Sequence, residues 1–151
     1  MKPFIFSLER LREYRNQVLD TEKSVLTALF QRLYDIEDKI ELSRNFRKVK
    51  QEEMRRMQEL GSTMKDLEEC KFYLENTRRR LDALEEERVR AVLEVERQRK
   101  VVLKASQDVS SLDKLEEKQL EDYHYLEARD NEKTIQEHVI QSIMYPRQSI
   151  S

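Results

Sequence analysis

Two imidazoles, one thiol and 31 carboxylates are the groups from which this 151-residue chain could build reactive chemistry. His124 and His138 stand fourteen residues apart, which on one helix separates them by roughly 20 Å. They cannot share a proton or a metal ion, and zinc needs several ligands about 2 Å from one centre. Cys70 falls on an apolar seam position, where a thiol acts as a small hydrophobe. The carboxylates alternate with Lys and Arg as solvated charge, and no glycine-rich loop can cradle a phosphate. The expectation is therefore no enzyme, with no catalytic, cofactor-binding or metal-binding residue.

Other residue types suit docking. Arg44 to Glu59 hold six basic against three acidic residues, and Arg78-Arg79-Arg80 form a second basic cluster. Together they read either as a solvated face or as a collar for an acidic protein surface. Phe46, Phe72 and Tyr73 neighbour seam positions without occupying them, and Tyr123 and Tyr125 stand further along. Half-exposed aromatics are the residue type that anchors interfaces.

The elements that position these groups follow from composition. One Gly, two Pro and no Trp leave almost nothing to punctuate a sheet, since about 7% glycine is ordinary. Charged residues make up 40% and mean hydropathy is −0.88, a pairing that points to a charge-coated coiled coil. Net charge of −2 gives no basic field for nucleic acid. No stretch has the roughly eighteen apolar residues of a membrane span, and Met1 to Ser7 does not read as a secretory signal. A single cysteine agrees with a reducing, cytoplasmic setting.

Heptad counting locates the seams. From Leu67 and from Cys70, steps of seven meet apolar residues at eleven of fourteen positions, where 38% composition predicts about five. Thr77, Arg88 and Gln98 interrupt this seam. In the first half, Leu26, Leu29, Leu33, Ile36 and Ile40 form a seam that Met54 and Met57 resume. Between them Ser43, Arg47 and Lys50 leave a polar gap, with Leu42, Phe46 and Val49 on a shifted phase. Val18 to Leu29 spans eleven residues, the spacing of a stutter.

Gly61 lies between the halves, where a helix would end on a left-handed residue, and Thr63 with Asp66 reads as the next N-cap. The spacing predicts an all-α fold: a long antiparallel two-helix coiled-coil hairpin forming a single domain over 1–151. Helix one covers about 7–60, the turn 61–63 and helix two about 64–143, followed by Pro146 and a frayed tail over 146–151. One continuous helix through Gly61, or a third helix after Ser110-Ser111, are the alternatives. Folding at residue 62 sets Met57 opposite Leu67, Ile40 opposite Leu84 and Leu33 opposite Ala91. It also leaves residues 120–143 overhanging, or resting only on Phe4, Ile5 and Phe6. The overhang and its approach are acidic, with nine Asp or Glu against four Lys or Arg over 113–137, and it ends in the stripe Ile135, Val139, Ile140 and Ile143.

Several segments in order resemble one family. Phe4-Ile5-Phe6-Ser7-Leu8-Glu9-Arg10-Leu11, Phe72-Tyr73-Leu74-Glu75 and Leu112-Asp113-Lys114-Leu115-Glu116-Glu117-Lys118 are similar to segments of the flagellar export protein family FliJ. So is Glu121 to Val139, with Tyr123, Arg129-Asp130-Asn131-Glu132-Lys133 and Gln136-Glu137, where the family tends to have Asp-Glu. The resemblance implies a cytoplasmic component of the type III export apparatus, associated peripherally with the inner membrane without inserting into it. Its implied partners are the hexameric export ATPase FliI, the export gate protein FlhA and flagellar export chaperones. By position, Phe46, Phe72 and Tyr73 become candidates for the gate. Tyr123, Leu126, Ile135, Val139 and Ile143 become candidates for the ATPase ring or chaperones, on an end comprising 4–18 and 110–143. A stalk protein of a virulence secretion system and a generic coiled-coil spacer are the competing readings.

Overall fold

A computed structural model describes residues 2–144; Pro146 and the expected frayed tail over 146–151 lie outside the described residues. It contains α1 (Glu9–Leu60) and α2 (Met64–Met144), and no strand among the described residues. The fold is the expected all-α helical hairpin. Continuous helix through Ser110 and Ser111 removes the three-helix alternative. Contacts divide the chain into two compact units, Leu19–Lys104 and Met1–Val18 with Ala105–Ser151.

The Leu19–Lys104 unit contains the turn. Gly61 adopts a φ of 82°, a left-handed conformation that ends α1. Thr63 then caps α2, its Oγ1 accepting the Asp66 backbone N–H at 3.2 Å. From this turn the helices run antiparallel, because partners fall along α2 as they rise along α1. Gln98 donates to the Glu22 carbonyl at 3.0 Å, Arg32 lies 3.5 Å from Glu94, Arg88 3.5 Å from Glu37, and Arg44 2.9 Å from Glu85. Exposed pairs of this kind add little stability. The stability comes from Leu33, Ile36, Ile40, Leu81, Leu84, Ala91 and Val95, which form one buried cluster edged by Leu26, Leu29 and Phe30.

Polar seam residues are accommodated individually. Thr77 is buried and returns its hydroxyl to the Tyr73 carbonyl at 2.8 Å, and half-buried Gln98 spends its amide on Glu22. Arg88 is the one α2 seam residue that turns to solvent, where it pairs with Glu37 and Glu85.

Across residues 42–50 the seam of α1 keeps its phase and takes the polar gap inside. Ser43 is 7% exposed and Arg47 and Lys50 are half-buried, whereas Leu42, Phe46 and Val49 are 69%, 43% and 56% exposed. Opposite them α2 keeps a strict 3.5 repeat through Cys70, Thr77, Leu81 and Leu84, all buried. A phase jump in one helix alone would break that register, so α1 keeps its polar residues inside. The local consequence is an imperfect seam in which Arg47 Nε is buried without a hydrogen-bond partner.

In the other unit α1 begins after a non-helical strap over residues 2–8. Phe6 is buried, with the Arg12 guanidinium 5.2 Å from its ring centre. Phe4 lies 5.6 Å from Tyr123 ring to ring, and the Tyr123 hydroxyl donates to the Lys2 carbonyl at 2.6 Å. Arg12 reaches Glu116 and Glu9, and Arg15 lies 3.6 Å from Asp108. The strap covers α2 only as far as Tyr123. Beyond it, every residue of α2 from 124 to 144 except Glu127 is exposed.

Two substitutions test this construction. Ile36, 2% exposed, replaced by Ala should cost about 3 kcal/mol and lower Tm by roughly 10 °C in thermal unfolding. Gly61→Ala should cost about 1 kcal/mol through its positive φ, and Gly61→Asn less, because Asn tolerates that region. A gain in stability from Gly61→Ala would show that the chain prefers to continue its helix there.

Candidate docking surfaces

The loop-proximal aromatics sit on the surface created by the unshifted seam. Phe46, from α1, and Tyr73, from α2, flank the Lys50 ammonium, 5.6 and 5.1 Å from the respective ring centres. Lys50 also donates to Glu53 at 3.1 Å, and this hydrogen bond raises its pKa above the ordinary lysine value. The cation is thereby held between two rings, an arrangement that fixes both aromatic faces.

Phe46 and Tyr73 separate two shallow clefts. One, of about 480 Å³, is also lined by Lys50, Met57, Glu69 and Cys70. The other, of about 340 Å³, is lined by Leu42, Ser43, Asn76, Thr77 and Arg80. Cys70 is buried, its Sγ 3.4 Å from the Lys50 carbonyl, so it forms cleft floor rather than an accessible thiol. Phe72 lines neither cleft; it is largely exposed and meets Tyr73 edge-on at 6.0 Å. Of the three expected residues, two are thus brought together and the third stands beside one of them.

Leu42 and Val49, exposed on the same off-seam phase as Phe46, extend this surface, and the sequence reading did not name them as docking candidates. The signal that identifies them lies in α2, whose uninterrupted heptads leave no room for a second phase. The basic collar is less available than its composition suggests. Arg44 pairs with Glu85, Arg55 with Glu52 and Glu59, and Arg78 with Glu75 and Asp82. These guanidinium bonds hold the Glu52 and Glu75 carboxyls below the usual carboxylate range. Arg47, Lys48 and Arg80 remain as the uncompensated cations.

The second group of candidates lies in the unit that contains the strap. Tyr123 is half-buried beneath Phe4, and burial, followed by its interaction with Glu127, raises its phenol pKa. Leu126, Ile135, Val139 and Ile143 are all exposed. The strap therefore divides the expected set, covering Tyr123 and leaving the other four open to a partner.

His124 and His138 are both exposed, His124 lying edge-on to Tyr123 at 5.7 Å. Among the described residues no group of three or more His, Cys, Asp or Glu is placed to hold a metal ion. Among the same residues no helix is long and apolar enough to cross a membrane.

The chain has no significant match among curated proteins or solved structures. One family model does match, that of the flagellar FliJ protein, over residues 4–148. That span takes in residues 4–8 of the strap, both helices, the turn and both exposed surfaces, and it places this chain in the FliJ family of flagellar export-associated proteins.

Proposed function

We propose that the protein is a stalk-like component of the flagellar type III export apparatus, engaging the export ATPase FliI through one unit and the gate protein FlhA through the other. The observation that carries the proposal is family membership along nearly the whole chain, combined with apolar surface that the protein itself leaves uncovered. Export chaperones for late substrates complete the partner set, and the location is the cytoplasmic face of the inner membrane, reached through the apparatus.

Residues 124–144 form the ring-facing surface in this reading. A solvent-exposed helix bearing Leu126, Ile135, Val139 and Ile143 loses apolar exposure on entering a ring, at about 25 cal/mol for each Å² buried. Phe46 and Tyr73 form the gate-facing surface, with Phe72, Leu42 and Val49 around them. Rings already fixed by Lys50 lose little freedom on binding, which favours them as anchors.

Each surface has its own test. Val139→Asp should leave helicity unchanged, because Val139 is exposed, while abolishing stimulation of FliI ATP hydrolysis and motility. Intact stimulation and motility would remove residues 124–144 from the ring contact. Tyr73→Ala should weaken FlhA capture about tenfold, equivalent to roughly 1.4 kcal/mol, with the circular dichroism spectrum preserved. Unchanged capture would place the gate contact elsewhere.

A further inference from the structure

The two clefts that share Phe46 and Tyr73 are successive stretches of one groove between α1 and α2, and they differ in charge. The stretch nearer the turn carries Glu53, Asp66 and Glu69 against Lys50 alone. Lys50 is already held by Glu53, and Asp66 accepts the Ser62 hydroxyl at 3.3 Å. Asp66 and Glu69 are both exposed, with no ion-pair partner among the described residues. The stretch further from the turn carries Arg80 as its one charged side chain, exposed and likewise without an ion pair among those residues. Apolar surface runs through both, with Leu42, Phe46 and Tyr73 exposed and Met57 half-buried. The groove is acidic at one end and basic at the other.

Its walls decide what kind of chain fits. Both are helices whose interior backbone groups are already bonded, so the groove offers side chains and no backbone donor or acceptor. A strand laid there would leave its own N–H and C=O groups without partners, whereas a helix satisfies them internally. From Leu42 to Met57 the groove is about 22 Å long at 1.5 Å per residue, the length of four helical turns. A helix is itself stabilised by acidic residues in its first turn and basic residues in its last. Such a helix matches the groove when it runs toward the turn, parallel to α1, with its basic end at Asp66 and Glu69 and its acidic end at Arg80. The reverse direction sets base against Arg80 and acid against the two carboxylates.

We propose that this groove receives an amphipathic helix of a partner protein, parallel to α1, whose basic C-terminal turn meets Asp66 and Glu69 and whose acidic N-terminal turn meets Arg80, its apolar face covering Phe46 and Tyr73. The inference rests on the gate-facing reading of these aromatics only in taking FlhA as the source of that helix. The two kinds of contact divide the work. Exposed ion pairs add little affinity but set direction, while the two rings, fixed by Lys50, supply most of the binding.

The test uses the full chain and a labelled helical peptide of about 15 residues, with Glu in its first turn, Leu and Ile along one face and Lys in its last turn. Saturable binding by fluorescence anisotropy is expected at about 50 mM salt, weakening at about 500 mM. Peptides with Lys at both ends or Glu at both ends should bind roughly threefold more weakly, and so should the original peptide to Glu69→Lys or Arg80→Glu. Tyr73→Ala should weaken it roughly tenfold. For direction, in a Cys70→Ser background, a cysteine at the basic end of the peptide should form a disulfide faster with Met57→Cys than with Leu42→Cys. No binding, binding indifferent to these charges, or faster reaction with Leu42→Cys overturns the inference. The gate assignment fails separately: a groove that takes the peptide in this direction stands even where FlhA capture ignores Tyr73→Ala, and FlhA capture that needs Tyr73 does not rescue a groove without charge preference.

Discussion

The structure depends on one constraint: α2 keeps a continuous 3.5-residue repeat across the loop-proximal half of its seam, and α1 must stay in step with it. Where the α1 sequence offers its best apolar residues off the seam, at Leu42, Phe46 and Val49, the register wins over local hydrophobicity. Ser43 is buried, and Arg47 and Lys50 are drawn half inside. A coil that let each helix choose its own phase would bury three more aliphatic or aromatic side chains here. It would also lose the facing layers at Leu81 and Leu84 that hold Ile36 and Ile40.

Function follows from what that constraint leaves outside. Side chains denied a place in the seam become surface, and in the proposed reading the aromatics fixed there serve as an interface. Phe46 owes its exposure to the register and its fixed position to Lys50, which Glu53 and the Tyr73 ring hold in turn. At the other unit the cause is different. The strap covers α2 only to Tyr123, and among the described residues the apolar side chains over 124–144 are all left exposed.

Much of this was legible in the sequence because coiled coils are written in a period. Scarce glycine, the eleven-of-fourteen seam and the single Gly61 gave helix, pairing and turn, and the polar interruptions at Thr77 and Gln98 lie in the seam as expected. Arg88 departs from it because a long side chain one seam position from solvent finds Glu37 and Glu85 at less cost than burial. Across 42–50 both the polar gap and the shifted apolar phase were legible, but not which of the two faces α2. Reading α1 by itself favours the more hydrophobic phase, whereas the register is a property of both helices at once. Likewise the collar's cations could be counted, but not their intrahelical partners Glu52 and Glu75, which cancel much of the positive field.

The central claim is the phase of α1 across this gap, and cysteine accessibility measures it directly. In a Cys70→Ser background, single cysteines placed at each position from 40 to 50 would be reacted with a soluble maleimide under native conditions. The register-locked account predicts slow labelling at 40, 43, 47 and 50, and fast labelling at 42, 46 and 49. Protection at 42, 46 and 49 with rapid reaction at 43, 47 and 50 would contradict it, and would put the aromatic surface back inside the coil.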